Sequence, residues 1–511
     1  MKRLLSLFLS LSLLLPLAAC GGDKLNSFTW FVSEIPANLD PQIAQTSAEV
    51  IACTHLYSGL FRHAPDGSLE NDACESYTVS ADGRTYTFTL KEGLTYQDDN
   101  TEDGPLAVTA ADYLFAFRRI FRAETASPYT ASFGNIQNSA AVLAGTMDES
   151  ELGVSAPDDR TLVIQLTDPD EDFLEKLTLP GAMPCNEAFF ENTQGTYGLS
   201  KSTILSNGPF YLYNWTASGL FLRRAASGSQ INSLRLVQNT DTTGQGSAEL
   251  VANGKCSAIL DEGGDATDLQ TIPYTDTTWC LLCNCGTVFG NTALRQALAA
   301  AVADVPLPAD GRYTAATGIV PQGTSVDGVD YRQAAGTVTA AAGDGDVLYA
   351  QALTAVSVSD LAGLSILVPE SMDAGYAQAL NGLWQSRYAL FFNIETVDDE
   401  TFAQRLADGD FTLALAPLTM TQRDPLSLLD DFAGDLCGYT DGTYAGYIRQ
   451  ASTSAGTEKA ALLASAEQQL AAEAVVTPLY AQQKRLLMET GVEGLYFDPY
   501  GPVLDVTGAT R

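Results

Sequence analysis

The sequence predicts an α/β fold, and three stretches carry that prediction. Residues 84–90 alternate Tyr86, Phe88 and Leu90 with Thr85, Thr87 and Thr89. A period of two in β-branched and aromatic residues puts one face of a strand into a core. Residues 109–121 open on Thr109 with Asp112 three positions on, a helix start, and set Tyr113, Phe117, Ile120 and Phe121 on one helical face. Residues 364–369 read as a buried strand, and Tyr376, Leu380, Leu383 and Trp384 follow it at helical spacing.

The other elements follow in chain order. Residues 28–32 form the first strand. Val50, Ile51, Leu56 and Tyr57 carry helical spacing into Gly59-Leu60-Phe61. Asp66-Gly67 and Asp82-Gly83 are tight turns. Arg118, Arg119 and Arg122 occupy the last turns of the 109–121 helix, where cations are favoured. Residues 159–166 alternate as a strand. Gly208-Pro209 stiffens a turn into a strand near residue 211, with 220–224 as its partner. Residues 279–284 read as a buried strand, and 323–346, rich in Gly, Ala, Asp and Thr, as a loop. Residues 411–417 form a strand, and Leu462, Leu463, Ala466 and Leu470 mark a late helix.

A chain of 511 residues with 46% hydrophobic content is ample for a large core and suggests roughly two to four domains. Lys2 and Arg3 precede an apolar run over residues 4–17, the pattern of a targeting segment. Leu17-Ala18-Ala19-Cys20-Gly21 resembles the cleavage site of bacterial lipoproteins. The resemblance implies that residues 1–19 are removed and that Cys20 carries a lipid anchor. Removal takes away two basic residues and no acid, leaving 25 basic against 62 acidic side chains, a net charge of −37. Such a charge excludes nucleic acid as a partner and keeps the protein body off an anionic membrane surface.

Eight cysteines follow Cys20, an even number whose pairing sequence alone does not fix. Cys280, Cys283 and Cys285 sit close together, but no second cysteine pair or histidine stands nearby to complete a tetrahedral metal site. His55 and His63 are the only histidines, and no activated-serine elbow, phosphate loop or zinc motif accompanies them. No enzyme, metal or cofactor is expected.

The words "DGSLENDACESYTVSADGRTYTFTLKEGLTY" and "VTAADYLFAFRRIF" resemble the solute-binding proteins of peptide-type ABC importers, the oligopeptide- and dipeptide-binding family. So do Asn38-Leu39-Asp40-Pro41, Ala126-Ser127-Pro128-Tyr129, Ser206-Asn207-Gly208-Pro209, Arg295-Gln296-Ala297-Leu298 and Arg423-Asp424-Pro425. The resemblance runs, with gaps, over most of residues 28–507. It implies a two-lobed periplasmic-binding-protein-like fold of type II, in the extended three-domain form. Residues 27–66, 186–278 and 478–511 would form lobe I, after a linker over 20–26. Residues 67–185 would form an inserted second domain, and 279–477 lobe II.

By the same resemblance the ligand is a peptide, lobe closure captures it, and an ABC permease and ATPase receive it. The protein would be a monomer, lipid-anchored in the periplasm or on the outer face of the cytoplasmic membrane. The positions the resemblance assigns to the ligand are Tyr57, Ser58, Tyr129, Asn207, Leu418, Thr419, Thr421 and Tyr496. Four depart from the family pattern. Ser58 stands where the family has a glutamate, and Thr421 where it has the aspartate that pairs with the peptide amine. Leu418 and Thr419 replace a tryptophan and a cysteine. Either another acid, such as Asp424, meets the amine, or the ligand has none. The family also includes binders of sugars and metal chelates, and a receptor for a signalling peptide would share the fold.

Overall fold

The computed structural model describes residues 26–97, 105–170, 172–224, 229–263, 267–309, 311–326, 328–338, 343–434, 436–501 and 503–511. The lipid-anchor position Cys20 lies outside these residues.

The N-terminal strand β1 (Ser27–Val32) leads to helix α1 (Ser47–Leu56), which Thr46 and Glu49 start with a reciprocal capping box. Strands β2 (Cys74–Val79), β3 (Thr85–Leu90), β4 (Val154–Asp158) and β5 (Thr161–Gln165) then form a separate antiparallel sheet in the order β2-β3-β5-β4. As the alternation in residues 84–90 requires, Tyr86, Phe88 and Leu90 are buried while the intervening threonines are half-buried. Between β3 and β4 lies helix α2 (Ala110–Ile120), where the Asp112 carboxylate accepts the Thr109 N–H at 2.7 Å. Tyr113, Phe117 and Ile120 of α2 close this sheet's core.

Arg119 departs from its expected role. It does not merely face the helix's negative end. It is buried and donates to both carboxylate oxygens of Asp40, at 3.0 and 2.5 Å, and to Gln42. It thereby fastens helix α2 to the turn after β1.

The main sheet has eleven strands. Its later members are β6 (Tyr211–Thr216), β7 (Gly219–Arg223), β8 (Ser233–Gln238), β9 (Ala258–Asp261) and β10 (Gln270–Cys283). After helix α3 (Thr292–Val302) come β11 (Tyr313–Ala315), helix α4 (Gly345–Ala352), β12 (Ser365–Pro369), helix α5 (Ala374–Tyr388), β13 (Asn393–Val397) and β14 (Leu413–Thr419). Helix α6 (Gly456–Ala472) and β15 (Val476–Met488) complete it. The order is β13-β12-β14-β10-β15-β9-β1-β8-β7-β6, with β11 paired to β15.

Two lobes share this sheet. Strands β6 to β9 and β1 pack with α1 and the C-terminal tail around Phe28, Ile51, Phe210, Leu234 and Leu504. Strands β10 to β15 carry two cores. One includes Leu281, Ala297, Leu380 and Trp384. The other includes Ala416, Leu463, Leu470 and Val476. The long antiparallel strands β10 and β15 run through both lobes. Their register slips between Tyr274 and Thr277 and again between Trp279 and Cys280. Such bulges bend and twist a strand pair, and here they fall where one lobe gives way to the other.

The expected loop over 323–346 is built otherwise. Ser325–Val326 pairs with Val329–Asp330, and a short helix, Tyr331–Ala335, follows. Buried Glu467 of α6 is the cause. It accepts from the Val320 N–H at 2.9 Å and the Tyr331 hydroxyl at 2.9 Å, and pairs with Arg332. A buried carboxylate needs such partners, and satisfying it orders the segment.

Candidate ligand-binding cleft

A strand that crosses between lobes cannot be apolar along its whole length, because its middle faces a cleft. The 13-residue strand β15 shows this: Gln482, Gln483, Lys484 and Arg485 interrupt its apolar run and are only partly buried. On β10 the matching stretch is Asp276-Thr277-Thr278. Pairing sets Thr277 against both Gln482 and Thr419, and Trp279 against Pro417.

A pocket of about 430 Å³ opens on this face. Lobe I supplies Glu262, Gln482 and Lys484 to its wall. Lobe II supplies Trp279, Arg312, Tyr313, Pro417, Thr419 and the start of α5 at Ser371 to Asp373. The pocket is lined mainly by polar groups held by one another. The Trp279 indole N–H donates to the Gln482 side-chain oxygen at 3.2 Å, and the Gln482 amide donates to Glu262. Lys484 Nζ lies 3.1 Å from Asp276 Oδ1. The Thr277 hydroxyl bonds Asp276 at 2.8 Å and the Thr419 hydroxyl at 3.0 Å. The charged lining of the pocket is thus Glu262, Asp373, Arg312 and Lys484, of which Lys484 is paired with Asp276 and Asp373 caps helix α5 through the Tyr376 N–H.

The opposite face of β14 holds the lobes together. Leu418 points away from the pocket into the lobe II core, beside Met420 and Tyr500. Tyr500 belongs to the C-terminal tail of lobe I, and its hydroxyl donates to the Gln322 carbonyl at 3.4 Å. Arg423 Nε lies 3.1 Å from Asp498 Oδ2 of the same tail. The Thr421 carbonyl lies 3.2 Å from where a Cβ on Gly501 would stand, at φ +74°. Only glycine suits that turn and that approach.

The structure spreads the expected ligand positions over four places. Leu418, Thr419 and Thr421 lie at the end of β14, with Thr419 in the pocket wall and Thr421 exposed beside the tail. Tyr496 lies in that tail, buried, with its ring stacked on His63 at 4.5 Å. Ser58 and Asn207 meet in lobe I. The Asn207 side chain accepts the Ser58 N–H at 3.1 Å and donates to its carbonyl at 3.2 Å. Tyr57 beside them is buried, its hydroxyl donating to the Leu39 carbonyl at 3.2 Å. Tyr129 is buried too, its ring against Gly181 and its hydroxyl on the Ala44 carbonyl at 2.6 Å.

Asp424, the substitute acid considered from sequence, is already engaged. Its Oδ1 accepts the Leu426 N–H at 2.9 Å, and its Oδ2 pairs with Lys459 at 2.5 Å. Gln482, Lys484, Asp276 and Glu262 stand outside the sequence expectation. For Gln482, Lys484 and Asp276 the signal was the run of polar residues inside a long strand; Glu262, just after the short strand β9, carried none.

Nothing in this arrangement makes a nucleophile or a proton shuttle. His55 is buried, with Nδ1 2.6 Å from the Ile51 carbonyl and Nε2 accepting the Val506 N–H at 3.0 Å. Among the described residues no cluster of three or more His, Cys, Asp or Glu side chains could hold a metal ion. No helix among them is long and apolar enough to cross a membrane.

Residues 68–437 match the sequence model of the bacterial extracellular solute-binding proteins, family 5. The dipeptide-binding protein of Lactococcus lactis is 25% identical over 96% of this chain and 96% of its own length. The dipeptide-binding protein of Bacillus subtilis is 22% identical over 91% of this chain and 88% of its own. Among solved structures, the substrate-binding domain of an oligopeptide ABC transporter from Bacillus anthracis superposes with a TM-score of 0.66. It is 22% identical, and the match covers 95% of this chain and 98% of that one. Listeria monocytogenes OppA, solved bound to peptide, gives a TM-score of 0.66 at 20% identity, covering 95% of this chain and 99% of its own. These structures share the two-lobed α/β fold.

Proposed function

Because the chain belongs to the bacterial extracellular solute-binding proteins, family 5, we propose that it captures short peptides outside the cytoplasm and delivers them to an ABC importer. The members of this family bind solutes and do not transform them. The observation that carries the reading is the polar pocket on the two crossing strands, walled by both lobes. A zwitterionic peptide brings one charge of each sign, and the pocket lining holds the acids Glu262 and Asp373 and the cations Arg312 and Lys484.

In this reading residues 27–66, 186–278 and 478–511 act as lobe I, 67–185 as an inserted domain, and 279–477 as lobe II. The lobes close around the ligand by bending at the bulges of β10 and β15. The closed form is presented to a permease and its ATPase. Cleavage after residue 19 leaves a monomer tethered through a lipid on Cys20. The absence of family acids at Ser58 and Thr421, and the engagement of both Asp424 oxygens, leave Glu262 and Asp373, which accept from Gln482 and from the Tyr376 N–H, as the pocket acids to meet the amine. They also favour one second reading, a solute with no free amine.

The test mixes the protein with pools of free-amine peptides, N-acetylated peptides and sugars, and reads melting temperature and native mass. A ligand of the folded state raises stability by mass action. We expect a shift with free-amine peptides, lost when Glu262→Gln and Asp373→Asn are combined. A shift only with blocked peptides or sugars overturns the amine-anchored reading in favour of the second.

A further inference from the structure

Cys285 leaves the end of β10, and Cys437 lies in the segment before the helix Gly442–Ala451. The Cys285 N–H donates to the Cys437 carbonyl at 2.7 Å. That bond brings the two main chains into direct contact, the proximity a disulfide requires. Both residues pack in the same apolar cluster, together with Leu436. The two segments touch again one residue on, where a Cβ on Gly438 would stand 3.0 Å from the Gly286 nitrogen. Both thiols are free in this structure.

We propose that Cys285 and Cys437 are joined by a disulfide in the mature protein. The family's extracellular setting allows such a bond to form and persist. Cys285 is half-buried and Cys437 is buried, so the reaction has an order. The Cys285 thiolate attacks an external disulfide, that of a small molecule or of an oxidoreductase, and displaces one thiol. The Cys437 thiolate then attacks the mixed disulfide and displaces the second. Two protons and two electrons leave the protein pair, and the external disulfide departs as two thiols. Arg295 favours the Cys285 thiolate, although burial raises that thiol overall.

Cys283 is the rival for Cys437. It also stands close enough to act on the Cys437 thiol, but it is fully buried opposite Leu413 on β14, out of reach of an external disulfide. The bridge therefore uses Cys285. It ties the end of the crossing strand to the chain 152 positions on, within lobe II, and leaves the bend between the lobes free.

The test incubates the full chain with oxidised glutathione, blocks remaining thiols under denaturing conditions, and maps the peptides by mass. We expect two fewer titratable thiols, a mass lower by two hydrogens, and one cross-linked pair containing residues 285 and 437. Cys285→Ser, a change at a half-exposed position, should keep the fold by circular dichroism and abolish the link. A full complement of thiols after oxidation, or a link from Cys283 to Cys437, overturns the proposal.

Discussion

Burial pushes the carboxyl group of Asp72 up to about 6, against the opposing pull of Arg62 and a hydrogen bond from Ser58. The unfolded chain titrates this group near about 3.9. Between those values the native state holds the proton and the unfolded state does not, so stability falls as pH rises through about 4 to 6 and stays lower above. Asp72→Asn should remove that loss. We expect a gain on the order of 1–2 kcal/mol at neutral pH, after solvent screening of a half-buried group, and little gain at pH of about 4. Urea unfolding at both pH values decides it, and an equal effect at each would sink the assignment. His55 acts with the opposite sign. Burial lowers its pKa although Asp505 stands 3.4 Å away, so its stabilising effect is lost as pH falls below the unfolded value near about 6.5. Its ring should keep the neutral Nδ1-protonated tautomer at acidities that already protonate a free imidazole, as read in nitrogen-15 spectra. Neither behaviour was legible in the sequence, where His55 is simply a residue near a helix end. Each depends on partners brought from Val506, Asp505 or Ser58 by the fold.

Elements whose cause is local were legible, and those whose cause is distant were not. The strand at Thr85–Leu90 and the start of the helix Ala110–Ile120 follow from residues within a few positions of one another. The role of Arg119 does not, because Asp40 is 79 positions away. Removing one member of a buried pair leaves the other charge uncompensated, so Asp40→Ala should cost about 3–5 kcal/mol. Equilibrium unfolding monitored in the inserted domain would read it. An unchanged midpoint would mean that the pair carries no stability. The segment after Ile319 is a parallel case. Its Gly, Ala, Asp and Thr content suggests a loop, yet Glu467 fixes it through Val320, Tyr331 and Arg332. Glu467→Ala should therefore raise amide exchange across residues 317–338 before it changes exchange in β1 or β8. Uniform loosening of both lobes would count against a local pin.

At the scale of the molecule, the family words give the two-lobed plan, while the pocket depends on three strands meeting. Gln482 and Lys484 look like any polar interruption until β10 and β14 place Thr277 and Thr419 beside them. The same geometry sets how the lobes are held. On one side of β14 lies the open pocket. On the other, Arg423 of lobe II meets Asp498 of the lobe I tail at 3.1 Å, and Tyr500 enters the lobe II core. These contacts join the lobes without any ligand, so they bias the open and closed populations. Arg423 is partly exposed, with 39% of its side chain accessible, and such a pair contributes about 0.2–1 kcal/mol. If closure is needed for capture, Arg423→Ala should weaken ligand binding by at most about five-fold, because the ligand must supply the lost closing energy. The same variant should enlarge the radius of gyration of the unliganded protein in small-angle scattering, and saturating ligand should restore the wild-type value. Weaker binding with no change in the unliganded radius would mean that Arg423 touches the ligand itself, and the pair would not be a latch between lobes.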